Sequence, residues 1–253
     1  MFYPKSKPLE GFFQEATLQE EFSLLSWNIH KENLNPNFQL TLKELLDENS
    51  VDFLLFQEYK INKSYDIIID PYNYTIAPNI ETKNHLYGVL TASKATIAHQ
   101  RAHLSKTKEF FLATKKANLT THHYFEDGSL LIIVNLHAIN FVNAKMFKAE
   151  LDMLYELLYG LDCAVIVSGD FNNWSSKRIR DLETFEYSLG YQRAIIEDAK
   201  HIKQFFNKPI DHIFYKNLEL LNAKAIDTKK ISDHNPIIAK FAQVKPLSIK
   251  PKR

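Results

Sequence analysis

The run Cys163-Ala164-Val165-Ile166-Val167-Ser168-Gly169-Asp170-Phe171-Asn172-Asn173-Trp174 constrains this chain more than any other stretch. Unbroken apolar residues rich in valine and isoleucine read as a strand buried on both faces, so its sheet must be covered on each side. The run stops at Ser168-Gly169, where glycine lets the backbone turn sharply. An acid and an amide follow two residues apart, Asp170 and Asn172. Polar groups launched from the carboxyl end of a core strand stand on a rigid base and open into a crevice, where α/β proteins place their chemistry. An Asp after a strand is also a common turn former or helix cap. Its partners elsewhere decide between these readings.

The same ending recurs along the chain. Phe22 to Trp27 is predicted as a strand that gives way at Asn28-Ile29-His30-Lys31, and Val51 to Phe56 delivers Gln57-Glu58-Tyr59-Lys60. Asp127-Gly128 between Ala117–Phe125 and Ser129–Asn135 predicts a hairpin, whose second arm runs out at Asn135-Leu136-His137. Tyr87–Thr91 and Thr96–His103 read as a strand pair. Asn62 to Asn84 reads as loop, with Asp70-Pro71 and Ala77-Pro78 as breakers. Pro209–Tyr215, Leu218–Ile226 and Pro236–Phe241 are three closing strands, and Asp211 and Asp233-His234 lie beside their ends. Helices are predicted after Asn35-Pro36 (Phe38, Leu42, Leu45, Leu46 inward), after Asn143 (Phe147, Leu151, Leu154, Leu158) and after Ser175 or Ser176 (Ile179, Leu182, Phe185, Leu189). Gly160 and Gly190 stop the last two. Two packed sheets would bring all the polar strand ends to one edge.

No linker or low-complexity tract interrupts this order. Residues 1–21 read as an irregular N-terminal arm, 22–242 as one domain, and 243–253 as a basic tail. The tail carries two prolines and four cations between Lys245 and Arg253 and is predicted disordered. Lys+Arg at 31 against Asp+Glu at 30 excludes a global basic field, so any nucleic-acid affinity must come from a local patch. One cysteine excludes an intramolecular disulfide framework, and Cys163 at the mouth of a buried strand reads as an inert thiol. No run approaches the ~18 apolar residues of a membrane span, and no signal-peptide pattern opens the chain. The expectation is a monomeric cytoplasmic protein without a transmembrane segment.

Asn28, Glu58, His137, Asp170, Asn172, Asp211, Asp233 and His234 form the candidate site. Carboxylates and amides without cysteine make a hard-oxygen set suited to Mg²⁺ or Mn²⁺. Zinc is poorly served, because the adjacent pair His122-His123 would point to opposite faces of a strand. A divalent metal, several acids and two histidines suit hydrolysis of a phosphate ester, where charge on phosphoryl oxygens must be stabilised and a water positioned.

Ser26-Trp27-Asn28, Gln57-Glu58-x-Lys60, Asn135-x-His137, Gly169-Asp170-Phe171-Asn172, Ile210-Asp211-His212-Ile213 and Ser232-Asp233-His234-x-Pro236 follow one another in this order. In that order the chain resembles the endonuclease/exonuclease/phosphatase superfamily from about residue 22 to 241. That family includes pancreatic-type deoxyribonucleases, abasic-site endonucleases, neutral sphingomyelinases and inositol-phosphate phosphatases. The resemblance implies a four-layer α/β sandwich, two mixed β-sheets packed face to face with helices outside. It implies Glu58 as principal metal ligand, assisted by Asn28 and Asp233, and Asp170 as the group that orients and deprotonates the attacking water. Asn172 would hold a phosphoryl oxygen or the nucleophile. His234, buttressed by Asp211, would stabilise the developing charge, and His137 would contact phosphate or assist the leaving group. His30 stands where abasic-site endonucleases carry an acid, and Asn84 and His85 stand near a deoxyribonuclease glutamate. Trp174 either packs beneath the following helix or lines the substrate cleft.

The functional expectation is therefore a metal-dependent phosphodiesterase or nuclease, with nucleic acid a possible partner. A phospholipid- or inositol-phosphate-directed hydrolase is the alternative. A catalytically silent binding module is the reading from another class.

Overall fold

The computed structural model describes residues 9–64, 67, 69–105, 115–140 and 143–244. The predicted tail from 245 and the first eight residues of the predicted arm lie outside them. In chain order the elements of the first half are β1 (Leu9–Gly11), β2 (Glu21–Asn28), α1 (Pro36–Glu48), β3 (Phe53–Asn62), β4 (Asn73–Glu81), β5 (His85–Ser93), β6 (His99–Leu104), β7 (Ala117–Tyr124) and β8 (Leu130–His137). Then follow α2 (Ala144–Leu158), β9 (Ala164–Asp170), α3 (Ser176–Leu189), β10 (Gln192–Arg193), β11 (Gln204–Phe205), β12 (Lys208–Pro209), β13 (Asp211–Lys216), β14 (Leu218–Ala225) and β15 (Ile237–Gln243).

One sheet runs β1-β4-β5-β3-β2-β15-β14 and the other β10-β13-β9-β8-β7-β6. Both are mixed: β2–β3 and β8–β9 are parallel and the other pairs antiparallel. Between the sheets lie Phe22, Leu24, Phe53, Leu55, Leu131, Ile133, Ile166 and Ile213, all fully buried. The alternate residues of the same strands face outwards and are covered by helices. Phe38 and Leu45 of α1 pack on Leu25, Leu54 and Phe56, whereas α2 and α3 cover Val134, Val165 and Val167. Strands covered on both faces explain the continuous apolar runs. The Asn35, Asn143 and Ser175 side chains each accept a first-turn backbone N–H, capping the three helices. None of these helices is long and apolar enough to cross a membrane.

Several expectations are corrected. The predicted loop 62–84 contains β4, nine residues of strand that join β1 to β5. Pro78 hid it: the register shifts between Pro78 and Ile80, and a bulge is where a strand tolerates proline. Tyr87–Thr91 and Thr96–His103 do not pair, for β5 joins β3 and β4 while β6 joins β7 in the opposite sheet. The arm is not wholly irregular, since β1 pairs with β4 and Leu18 is buried against the inter-sheet core. In α3 the buried position is Arg178, and Ile179 is only half-buried.

The core holds two neutral histidines. His123 donates from Nδ1 to the Thr96 carbonyl (3.0 Å), accepts at Nε2 from the Thr121 hydroxyl (2.9 Å) and meets the Phe53 ring edge-on. Burial lowers its pKa to about 3, and burial lowers that of His212 equally. A folded value below the ordinary 6.5 gives stability that is complete above about pH 6.5 and drains away as pH falls towards 3. Each group should cost about 1.4 kcal/mol per pH unit in that window. Urea unfolding at successive pH values should show this slope, reduced in His123→Gln; an unchanged slope in the variant would reject the assignment.

Candidate active site

Strand register assembles the cleft. In the parallel β8–β9 pair His137 lies opposite Asp170, and in the antiparallel β9–β13 pair Asp211 lies opposite Asp170. Three strand ends therefore set His137, Asp170 and Asp211 in a row at the spacing of neighbouring strands, about 4.8 Å each. The facing sheet contributes Asn28, whose Nδ2 donates to Asp170 Oδ2 (3.1 Å) and ties the two sheets together at this edge. The segment before β15 is pinned by Trp27 Nε1 donating to the His234 carbonyl (2.9 Å) and Ser232 Oγ donating to the Asn28 carbonyl (2.8 Å). His234 is thus held over the row, its Nδ1–H donating to Asp211 Oδ2 (2.8 Å) and its Nε2 3.9 Å from Asp170 Oδ2.

Glu58 arrives on a bulge. Phe56 pairs with Leu90 but Tyr59 with Gly88, so Gln57 and Glu58 together face Val89. Glu58 takes a left-handed φ of 56°, a sparsely populated conformation for a residue with a side chain. The bulge re-aims its carboxylate into the cleft, 3.8 Å from His137 Nε2. Asn172 also has a left-handed φ (48°); its backbone N–H donates to Asp170 Oδ1 (3.0 Å) and its Nδ2 to the Ala138 carbonyl (3.1 Å). Beneath it Arg178 Nη1 donates to the Asn172 carbonyl (2.6 Å), so α3 supports the loop that carries the acid.

The electrostatics separate the carboxylates. Burial raises Asp170 well above the ordinary carboxylate range, against the pull of His234. Burial alone would keep His234 neutral, but Asp211, Asp170 and Asp233 together raise its pKa, so it is an imidazolium at neutral pH. His137 goes the other way: burial and then Lys116 drive it well below its usual value. Lys116 Nζ donates to His137 Nε2 at 3.0 Å, which fits a neutral ring. Glu58 is ionised despite burial, and with His137 neutral the cations that hold it so are Lys116 and Lys31, the latter ion-paired directly with Oε2.

Asn28, Glu58, His137, Asp170, Asn172, Asp211 and His234 are thus brought together. Asp233 is half-exposed and paired with Lys203 (3.0 Å), and its Oδ1 lies 4.0 Å from His234 Nε2, the ring atom that also faces Asp170. Trp174 sits at the rim, half-buried, its Nε1 donating to Asn140 Oδ1 (3.0 Å). Its ring meets Phe205 at a tilt and Phe206 edge-on in the β11–β12 hairpin (5.7 and 6.0 Å between centroids), with the Arg178 guanidinium over the indole. Lys31, Lys116, Phe205 and Phe206 were not legible as site residues. Lys116 precedes β7, and Phe205 and Phe206 lie outside every motif read from the sequence.

Among the described residues two groups offer ligand atoms to a cation, the first of them only with His234 deprotonated. Asp170, Asp211 and His234 offer one ligand atom each within 4.8 Å of one another. Glu58 offers a hard carboxylate on which the Lys31 ammonium already stands in for positive charge.

A model described as the Endonuclease/Exonuclease/phosphatase family matches residues 25–234. A UPF0294 protein of Vibrio cholerae is 31% identical over 242 residues, covering 94% of this chain and 82% of its own. An AP endonuclease from Leishmania major superposes with a TM-score of 0.65 at 14% identity over 88% of each chain. A Bacteroides thetaiotaomicron mannosyl-6-phosphatase gives 0.63 at 14% identity over 87% of this chain and 99% of its own.

Proposed function

Because the chain belongs to the endonuclease/exonuclease/phosphatase family, we propose that it is a divalent-metal-dependent phosphodiesterase in which Asp170 activates the attacking water. The observation that carries this reading is one buried carboxylate of raised pKa, flanked by an imidazolium–carboxylate pair. A base works best with a pKa nearer the operating pH, and burial moves Asp170 in that direction. Asn28 and the Asn172 N–H each hold one of its oxygens, fixing the carboxylate without a cation on it. His234, kept charged by Asp211, presents Nε2–H to the oxygen on which charge develops. Lys116, whose ammonium donates to the neutral His137, faces the same space and would give a proton from Nζ to the leaving oxygen.

Mg²⁺ or Mn²⁺ would be held by Glu58, with the Asn28 amide and Asp233 as the other donors expected. It would supply positive charge for the phosphoryl oxygens when bound. Asn28 Oδ1 now accepts the His30 N–H (3.2 Å) and Asp233 is turned to Lys203, so Glu58 carries most of this assignment. Glu58→Gln should weaken Mn²⁺ binding by about tenfold or more in calorimetry and abolish most hydrolysis, with little change in melting temperature. Unchanged affinity would move the cation to the Asp170–Asp211–His234 group.

The substrate follows from the rim. Fold relatives include an AP endonuclease and a mannosyl-6-phosphatase, so diester and monoester cleavage are both within this architecture. A nucleic acid is our first reading, with bases stacking on the Trp174–Phe205–Phe206 rings. Phe206, 74% exposed between Lys203 and Lys208, is the observation that favours the second reading, a phospholipid or inositol phosphate. Hydrolysis of DNA, RNA, abasic DNA, inositol phosphates and phospholipids with Mg²⁺ and Mn²⁺ separates these, and no turnover of any would leave the silent binding module.

A further inference from the structure

A second polar cavity lies on the outer face of the smaller sheet. Antiparallel register sets His99 opposite His122, Arg101 opposite Thr120 and His103 opposite Asn118, so one side of β6 and β7 displays imidazole, guanidinium and hydroxyl groups together. The cavity they line measures about 200 Å³, and its opposite wall is Ile132 with Leu157, Leu158 and Leu161 at the end of α2. His99 and His122 face each other with ring centroids 5.0 Å apart. Two polar atoms are buried here without any hydrogen-bond partner: Nε2 of His103 and Oγ1 of Thr120. Burying such atoms unpaired is costly, and native structures seldom do so without a ligand or water to meet them.

The charge is one-sided as well. No carboxylate lines the cavity among the described residues. Burial and Arg101 hold the His103 pKa down, and burial and His99 do the same to His122, as expected where basic groups crowd together without an anion. A metal ion would meet the His99, His103 and His122 imidazoles with the Arg101 guanidinium beside them on the same face, and would lack an acid. An oxyanion supplies what is missing: negative charge for Arg101 and the histidines, and acceptors for the Thr120 hydroxyl and a His103 N–H. The register pair Arg101–Thr120 lies at the centre of this group, with His103 to one side and His99 and His122 to the other.

We infer that Arg101, Thr120, His99, His103 and His122 form a phosphate-binding site separate from the catalytic cleft. The phosphate is either free or part of a nucleic-acid backbone, and the test distinguishes the two. The full-length chain is titrated with inorganic phosphate, and separately with a short oligonucleotide lacking terminal phosphates. Binding is followed by the imidazole C–H resonances, assigned with His103→Gln and His122→Gln. Saturable shifts at His103 and His122 are expected, with affinity lowered about tenfold or more in Arg101→Gln, which loses a charge-assisted hydrogen bond. Thr120→Val should weaken binding in the same direction. The His234 resonance should respond alike in wild type and both variants, so the cleft serves as the internal control. Shifts with the oligonucleotide alone identify a polymer backbone; shifts with inorganic phosphate identify a small anion. Absence of saturable shifts in both arms, or equal affinity in Arg101→Gln, overturns the site.

Discussion

Asp170→Asn should turn over its best phosphodiester about 10²–10⁴ times more slowly than wild type while still binding it. General-base help is worth that factor, roughly 3–5 kcal/mol of barrier. The substitution keeps shape and one oxygen, so the Asn172 N–H can still be met, but it removes the basicity that burial has raised. It also faces Asn28 Nδ2 with a possible second amide donor, so the side chain should turn its oxygen to whichever partner holds it better. A melting temperature near wild type is therefore part of the expectation and shows that rate, not folding, was lost. Single-turnover kinetics beside substrate-binding titration decide it. A variant within about tenfold of wild type would mean Asp170 is not the base.

Gly169→Ala should be the most damaging small substitution in the strand that carries Asp170. Its φ of +144° is a conformation that side chains rarely adopt, and an added Cβ would sit 1.9 Å from the Leu136 carbonyl oxygen. That oxygen belongs to the neighbouring β8 backbone, which is anchored by the register that sets His137 beside Asp170. Relief requires the two strands to part where the site is built. Backbone strain and overpacking each cost about 1–3 kcal/mol, so a loss of roughly 3–5 kcal/mol is expected in urea unfolding. Gly160→Ala is the control. Its φ is +77° but nothing lies within 4 Å of the added methyl, so its cost should stay near 1 kcal/mol. If the two variants lose the same stability, close approach to β8 is not what requires glycine at 169.

The histidines of the chain show how differently neighbours treat one residue type. His123 and His212 are neutral core groups, His137 is neutral beside a lysine, and His234 is charged between carboxylates. Apart from Asp233 next to His234, nothing within a few residues of each predicts this. The adjacent pair His122-His123 could be assigned to opposite strand faces from alternation alone, and His123 is indeed fully buried while His122 is half-exposed. What burial does to each pKa depends on residues brought from other strands.

Local order in this protein is set by the sequence. Apolar runs that end in Asn28, Glu58, His137 and Asp170, caps at Asn35, Asn143 and Ser175, and stops at Gly160 and Gly190 act over a few residues, through propensity and backbone hydrogen bonds. The same strand ends, with the ordered motifs around them, made the two-sheet fold and most of the cleft legible. Strand partners were not legible, because a strand's own residues say which face is buried and not which distant strand lies alongside. That is why β4 was lost behind Pro78 and why β5 and β6 were joined across two sheets. Tertiary structure alone decided that Lys31 lies on Glu58, that Lys116 reaches His137, that Asp233 turns to Lys203 and that Phe205 meets Trp174. Each of these contacts joins residues at least 27 positions apart except the Lys116–His137 pair at 21, and through-space charge and packing at such separations exist only once the sheets have closed on each other.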